Sequence, residues 1–310
     1  MAAIEIHNLS KSYPVGFWKK QHRAALKSLD LKVEPGETFG FLGPNGAGKT
    51  TTLKLLMGII FPDSGSASIL GKDINDPKIK RKIGFLPEQP YFYDYLNASE
   101  LLDYYAQLCG VSSADRRTRI PRLLERVGLA DAGKKQLRKF SKGMLQRVGI
   151  AQAIIHDPEI LFLDEPMSGL DPNGRHEIRE LIQELKDAGK TIFFSTHILS
   201  DAEALCDRVA VIHKGELRGV GVVNDLRSSG SDRSEVIWEG QSALERMAGV
   251  LLESHVTGDL VRAVVASENL DRLLEGLRQQ CARLISVTPL HGTLEEYFLA
   301  KTSEPETIKA

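Results

Sequence analysis

An α/β fold organised on a parallel sheet, followed by a small α+β module, is the architecture this sequence predicts. Three observations predict it. Short continuous apolar runs recur between helix-patterned segments, the alternation that builds a parallel sheet with helices on its faces. One of those runs breaks at a glycine-rich loop that opens directly into a helix. The chain's 310 residues exceed what one hydrophobic core usually organises, and a polar, flexible stretch at 226–234 offers a place for it to divide.

Taken in order, "ETFGFLG" (37–43) is the first strand-like run; it breaks at Gly43 and leads into the helical "KTTTLKLLMGII". "EILFLDEP" (159–166) is continuous and apolar, as a parallel strand buried on both faces should be. "KTIFFSTH" (190–197) and "RVAVIHKG" (208–215) repeat that form. Between residues 97 and 155 the pattern changes to helix after helix, in "ASELLDYYAQLCG", "RRTRIPRLLERVGL" and "FSKGMLQRVGIAQ". This predicts a mostly helical subdomain inserted into a sheet domain spanning 1–225. Beyond the linker, the domain at 235–310 reads strand "EVIWEG", helix "SALERMAGVL", strands near 252–257 and 260–266, helix "ENLDRLLEGLRQQ" and strand "ARLISVTPL". That order is β-α-β-β-α-β, a ferredoxin-like pattern, with "TLEEYFLAK" as a closing helix.

Composition excludes several classes. Hydrophobic content of 42% with 26% charged residues is ordinary for a globular chain, and a formal net charge of −1 gives no basic footprint for nucleic acid. Cys109, Cys206 and Cys281 lie far apart without metal-ligand spacing and read as reduced thiols. The N-terminus carries no signal-peptide pattern. The longest apolar runs, such as "LLMGIIF", fall far short of the roughly 18 residues that a spanning helix requires. Any action on a membrane is therefore expected to go through a partner.

The chemistry concentrates in a few stretches. "GPNGAGKTT" (43–51) fits the phosphate-loop pattern at each fixed position: Gly43, Gly48, Lys49 and Thr50. Its glycines let backbone N–H groups approach phosphates, and the following helix adds its positive end. Lys49 should reach the β- and γ-phosphates, and the Thr50 hydroxyl should ligate magnesium. "ILFLDEP" sets Asp164 and Glu165 at the end of a buried strand, where carboxylates are costly unless they meet a cation. Asp164 suits a magnesium shell, and Glu165 suits polarising an attacking water. "FSKGMLQ" poses a question, because Ser141-Lys142-Gly143 opening a helix makes a second anion site in a chain that already has one.

With these motifs in hand the chain resembles the nucleotide-binding subunit of ATP-binding cassette (ABC) transporters, over roughly residues 4 to 225. Seven motifs stand in the family's order. Tyr13 in "LSKSYP" matches the aromatic that stacks on adenine; the phosphate loop follows; Gln89 in "FLPEQP" matches the glutamine loop. "FSKGMLQ" matches the signature, then come "LFLDEP", Asp171 in "SGLD" at the dimer seam, and His197 in "FFSTH" at the switch histidine. The resemblance implies a P-loop NTPase fold of the ABC ATPase type with an inserted helical subdomain, and ATP and Mg²⁺ as cofactors. It implies Glu165, His197, Lys49 and Gln89 as catalytic residues. Tyr13 together with Gly43, Pro44, Asn45, Gly46, Ala47, Gly48, Lys49, Thr50 and Thr51 would bind nucleotide. Thr50, Gln89 and Asp164 would form the metal shell. Ser141, Lys142, Gly143, Met144 and Asp171 would act in trans on ATP held by a partner.

Further implications are a head-to-tail homodimer, or a dimer with a paralogous ATPase subunit, and a separate membrane permease. Location would be peripheral, on the cytoplasmic face of the cell membrane, and an export role fits the SKGM-type signature and the "TLEEYFL" ending. The signature departs from the commonest form, with Lys142 for glycine and Met144 for glutamine. Lys142 either lends charge near the phosphate or points to solvent. Five of the seven tyrosines lie between 91 and 105, either as a permease-binding surface or as packing of the helical subdomain. "VGFWKKQHR" (15–23) reads as a membrane-grazing patch or an exposed hairpin tip. The competing readings are an ABC ATPase acting on ribosomes or nucleic acid and a free-standing phosphoryl-transfer enzyme. The first lacks tandem cassettes or a coiled coil, and the second leaves the signature and switch histidine without a role.

Overall fold

The structure is a computed structural model and describes residues 1–15, 21–228, 233–241, 244, 247, 249–290 and 294–303. It divides into two compact units, Met1–Val222 and Val223–Ala310.

The first unit is built on two sheets. A six-stranded sheet has the order β10 (Glu216–Val222), β9 (Arg208–His213), β3 (Thr38–Leu42), β8 (Thr191–Thr196), β7 (Ile160–Asp164), β6 (Ile83–Leu86). All its pairs are parallel except β10 with β9. Every residue of β3, β7 and β8 is buried, which is why these strands read as unbroken apolar runs. Phe193 is their aromatic centre, 5.6 Å from Phe39, 5.4 Å from Phe41 and 5.8 Å from Phe162 between ring centroids.

The second sheet is antiparallel, in the order β2 (Gln21–Val33), β1 (Ile4–Val15), β4 (Ser64–Ile69), β5 (Lys72–Asp73). Its inward residues, among them Ile4, Ile6, Leu29 and Leu31, share one core cluster with the phenylalanines of the parallel sheet. "VGFWKKQHR" runs from the last residue of β1 into the first three of β2, and residues 16–20, with Phe17 and Trp18 among them, lie outside the described residues.

Helices fill the remaining layers. Helix α1 (Lys49–Leu56) leaves β3 through the glycine-rich loop and stops before Gly58, whose φ of +61° ends the helical pattern that the sequence carries to Ile60. The inserted helices are α2 (Ala98–Leu108), α3 (Ser113–Arg126) and α4 (Lys142–Ile154). Asn97 and Glu100 close a capping box on α2, and Ser112 caps α3. Helix α5 (Pro172–Asp187) starts with Asp171 as cap and Pro172 at its first position, and α6 (Leu199–Leu205) follows β8.

The last turn of α4 presses on β6. A Cβ on Gly84 would fall 2.1 Å from the Ala153 carbonyl oxygen and 2.6 Å from Leu161 Cδ2. Gly84→Ala should therefore cost about 2 kcal/mol and lower Tm by roughly 4–8 °C. Thermal unfolding checks this, and an unchanged Tm would mean that α4 gives way freely.

The second unit is a four-stranded antiparallel sheet in the order β12 (Leu251–Thr257), β13 (Leu260–Ala266), β11 (Arg233–Glu239), β14 (Arg283–Leu290). Helix α7 (Val223–Ser228) precedes it, α8 (Ser267–Gln279) connects β13 to β14, and α9 (Leu294–Ser303) follows. Val236, Trp238, Val261, Ala263, Val265, Leu273 and Leu277 form its core. Trp238 Nε1 donates to the Gly240 carbonyl at 3.1 Å, so the largest core side chain buries no unpaired donor.

Of the helix expected at 242–251, residues 242, 243, 245, 246 and 248 lie outside the described residues. The stretch expected as a linker at 226–234 differs in part. Residues 226–228 finish α7, whose Val223 is buried, and Arg233 and Ser234 already pair in β11. Polar composition concealed both elements, and 229–232 lie outside the described residues.

Candidate functional site

Strand β3 delivers the chain to a cavity of about 940 Å³ at its C-terminal end, where ligands of such sheets collect. Pro44 through Thr51 line it continuously. Gly48 holds φ +112°, and a Cβ there would fall 2.5 Å from the Ala25 carbonyl oxygen, so only glycine permits this approach of loop to β2. Lys49 is buried (6% exposed) with its Nζ donating to the Gly43 carbonyl at 2.7 Å. Its ammonium closes the loop on itself and also stands 3.4 Å from Glu165 Oε1.

Strands β7 and β8 bring the acidic side of the site. Their parallel register sets Asp164 beside Ser195. Asp164 is 1% exposed, and its carboxylate accepts from the Ser195 and Thr50 hydroxyls. Burial pushes the Asp164 carboxyl up, Glu165 adds to the rise, and those two hydroxyls with Lys49 oppose it. A buried carboxylate answered mainly by hydroxyls is a fitting ligand for a cation.

Glu165 turns away from the strand with φ +50°, a left-handed conformation uncommon for a residue with a side chain. Its backbone N–H donates to the Ser195 carbonyl at 3.1 Å. Oε2 lies 3.0 Å from His197 Nδ1, while Oε1 is buried with no hydrogen-bond partner. His197 is half-exposed, follows β8 directly and lines the cavity. Lys49, His197 and an open carboxylate oxygen thus converge within one cavity beside a phosphate cradle. That arrangement can hold a polyphosphate and accept a proton from water placed against it.

Tyr13 stands at the cavity rim opposite Arg23 in the β1–β2 pairing, with Lys11 Nζ 5.9 Å from its ring centroid. The structure does not bring every sequence-predicted residue here. Gln89 is exposed after β6 and does not line the cavity; its neighbour Glu88 does. Ser141, Lys142, Gly143, Met144 and Asp171 line no part of it. They gather instead where α4 and α5 begin. Ser141 Oγ accepts from Met144 N at 3.3 Å, and Asp171 accepts from Gly174 N at 3.0 Å. The exposed Lys142 lays its stem against Gly169 of "SGLD" (φ +73°), where a Cβ would fall 2.7 Å from Lys142 Cε. In this single chain the lysine is exposed, with its stem running beside the seam loop.

Sequence reasoning missed Ser195, Ser168, Glu88 and Gln146. Ser195 had a signal, standing two residues before His197 on a strand parallel to the one bearing Asp164. Gln146 had another, an amide on the helix face that is otherwise apolar.

A family model described as "ABC transporter" matches residues 26–168. An uncharacterized ABC transporter ATP-binding protein of Synechocystis is 46% identical over 97% of this chain and 85% of its own length. The bacitracin transport ATP-binding protein BcrA of Bacillus licheniformis is 39% identical over 87% of the chain and 90% of its own. Among solved structures, an ATP-binding subunit of an ABC transporter superposes with TM-score 0.64 at 34% identity, over 73% of this chain and 92% of that one. A dimeric ATP-binding cassette in a post-hydrolysis state with ADP and phosphate bound gives TM-score 0.65 at 28% identity, over 71% and 98%.

Proposed function

The chain belongs to the family of ABC transporter ATP-binding proteins, and from that premise we propose that it is the ATP-hydrolysing subunit of an exporter whose membrane permease is a separate chain. The observation that carries the catalytic reading is the buried Glu165 carboxylate beside the phosphate loop, with Oε2 against His197 and Oε1 without a hydrogen-bond partner, 3.4 Å from Lys49. Relatives named for bacitracin transport, linearmycin resistance and daunorubicin resistance support export. No helix among the described residues is long and apolar enough to cross a membrane, which suits a subunit that docks on one.

In this reading Tyr13 stacks on adenine, a contact of ~1–3 kcal/mol by analogy with base stacking. The N–H groups of Asn45 to Thr51 cradle the phosphates, and Lys49 exchanges the Gly43 carbonyl for phosphate oxygens. Magnesium arriving with the nucleotide would be held by Thr50 and Asp164, with Gln89 joining only on moving in from outside the cavity, and would supply positive charge to offset that of the phosphates. Glu165 Oε1 takes the proton of the attacking water, while His197 holds Oε2 in place and meets the γ-phosphate from its exposed edge. Ser141, Lys142, Gly143, Met144 and Asp171 complete the site of a partner, by ATP-driven head-to-tail dimerisation. Both a homodimer and a dimer with a paralogue satisfy this geometry.

Gln89 and the tyrosines beside it form the permease-docking surface. Tyr91, Tyr93, Tyr95 and Tyr104 are exposed, and Tyr93 contacts Tyr95 and Tyr104 at 5.8 and 6.1 Å between centroids. Exposure on this scale favours an interface over packing of the helical subdomain. Because each site needs two chains, turnover per chain of the isolated protein should rise in proportion to concentration while dimers are scarce. A specific activity that stays constant over about a hundredfold dilution would overturn the two-chain site.

A further inference from the structure

Gln146 joins the two anion sites within a single chain. It lies on α4, five residues beyond Ser141, and is 1% exposed. Its Nε2 donates to the Pro166 carbonyl at 3.0 Å and more weakly to the Glu165 carbonyl at 3.4 Å. These carbonyls belong to Glu165, which holds φ +50°, and to the residue that follows it. A buried amide placed on the backbone of a strained residue fixes the direction of that residue's side chain. The next residue, Arg147, pairs with Glu177 of α5 at 2.7 Å, so the first half of α4 is tied both to the Glu165 bend and to the helix that begins at Asp171.

We propose that Gln146 is a positioning residue: it transmits the docking of a partner's nucleotide at the start of α4 to the orientation of Glu165 in the chain's own site. The proposal rests on the head-to-tail reading above. Helix α4 is stiff along its axis, so a displacement at Ser141 reaches Gln146 within about 1.5 turns with little loss. At Gln146 it meets a directional hydrogen bond to the Pro166 carbonyl rather than a deformable apolar contact. Each site of the dimer would thereby sense occupancy of the other, because the signature that one nucleotide binds belongs to the chain whose glutamate serves the second.

Two substitutions remove the donor by different chemistry. Gln146→Met keeps length and burial, and Gln146→Glu keeps shape but presents a carboxylate to two carbonyls. Both are expected to lower kcat by roughly ten- to a hundredfold with KM for MgATP within about threefold, the size of loss that a small misplacement of a reacting group produces. In a Glu165→Gln background, both should still form the ATP-dependent dimer by light scattering, since Ser141 and Gly143 are intact. Normal kcat in either folded variant overturns the positioning role. A loss of kcat accompanied by loss of the ATP dimer, or failure of both variants to fold, makes Gln146 a structural residue and overturns it equally. If Glu165→Gln alone stays monomeric with ATP, the head-to-tail reading itself fails, an outcome separate from the first two.

Discussion

Glu165→Gln is expected to reduce ATP turnover by at least about a hundredfold while leaving MgATP affinity within a few-fold. The substitution keeps the side chain's shape and removes the charge and basicity that Oε1 supplies. Binding should survive because the cradle is backbone and Lys49, and neither depends on the carboxylate. Lys49 in fact loses a competitor: its 3.4 Å contact with Glu165 Oε1 no longer holds it away from incoming phosphate. Some stability should be lost, because the amide keeps the place beside His197 but leaves the buried Lys49 ammonium without its counter-ion at 3.4 Å. The variant should accumulate as an ATP-bound dimer on size exclusion with light scattering, because the step that loosens the dimer is blocked. Turnover within tenfold of the unaltered protein would remove Glu165 from the role of base. His197→Ala separates the two functions of the pair, since it frees Oε2 yet leaves the base in place.

How much of this was legible depended on whether the chemistry lies along the chain or across it. The phosphate loop is contiguous because backbone N–H groups must converge on one anion, so "GPNGAGKTT" announced the cradle and its flanking strand and helix. Asp164 and Glu165 were equally plain, two carboxylates closing an apolar run that only a buried parallel strand explains. Ser195 was harder, because its spacing from His197 only hints at it and its place beside Asp164 is set by the register of β7 against β8. Gln146 was harder in the same way: its amide on an apolar helix face marks it, but its partners are carbonyls about twenty residues away.

The antiparallel sheet gave no clean alternation in the sequence. Register shifts interrupt β1 after Ile6, Leu9 and Lys11, and Asn8 and Ser28 take positive φ, so the period of two is lost where a strand would be recognised. Residues 226–228 and 233–234 read as linker because all but Leu226 are polar, while the order they hold comes from α7, in which Val223 is buried, and from pairing with β13.

Mixing two inactive chains should restore activity. Lys49→Ala removes the phosphate-binding ammonium, and Ser141→Arg fills the start of α4 while removing its cap. Each chain alone is expected to turn over ATP at least roughly a hundredfold more slowly than the unaltered protein. The loss from Lys49→Ala needs no partner to explain it, since Lys49 lines the cavity. The loss from Ser141→Arg is not one of direct contact within the chain, because neither Ser141 nor its neighbours Lys142, Gly143 and Met144 line the cavity. In a two-fold arrangement of like chains, equimolar mixing makes half the dimers mixed. Each mixed dimer holds one complete site, the phosphate loop of the Ser141→Arg chain facing the signature of the Lys49→Ala chain. Recovery of roughly a quarter of normal turnover follows if sites act independently, and less if both must fire together. If Ser141→Arg instead acted within its own chain, by displacing α4 and through Gln146 the bend at Glu165, that chain's site would be damaged in every pairing, and the mixture would stay inactive. Recovery therefore assigns the second anion site to another chain's nucleotide pocket, whether the physiological partner is an identical chain or a paralogue.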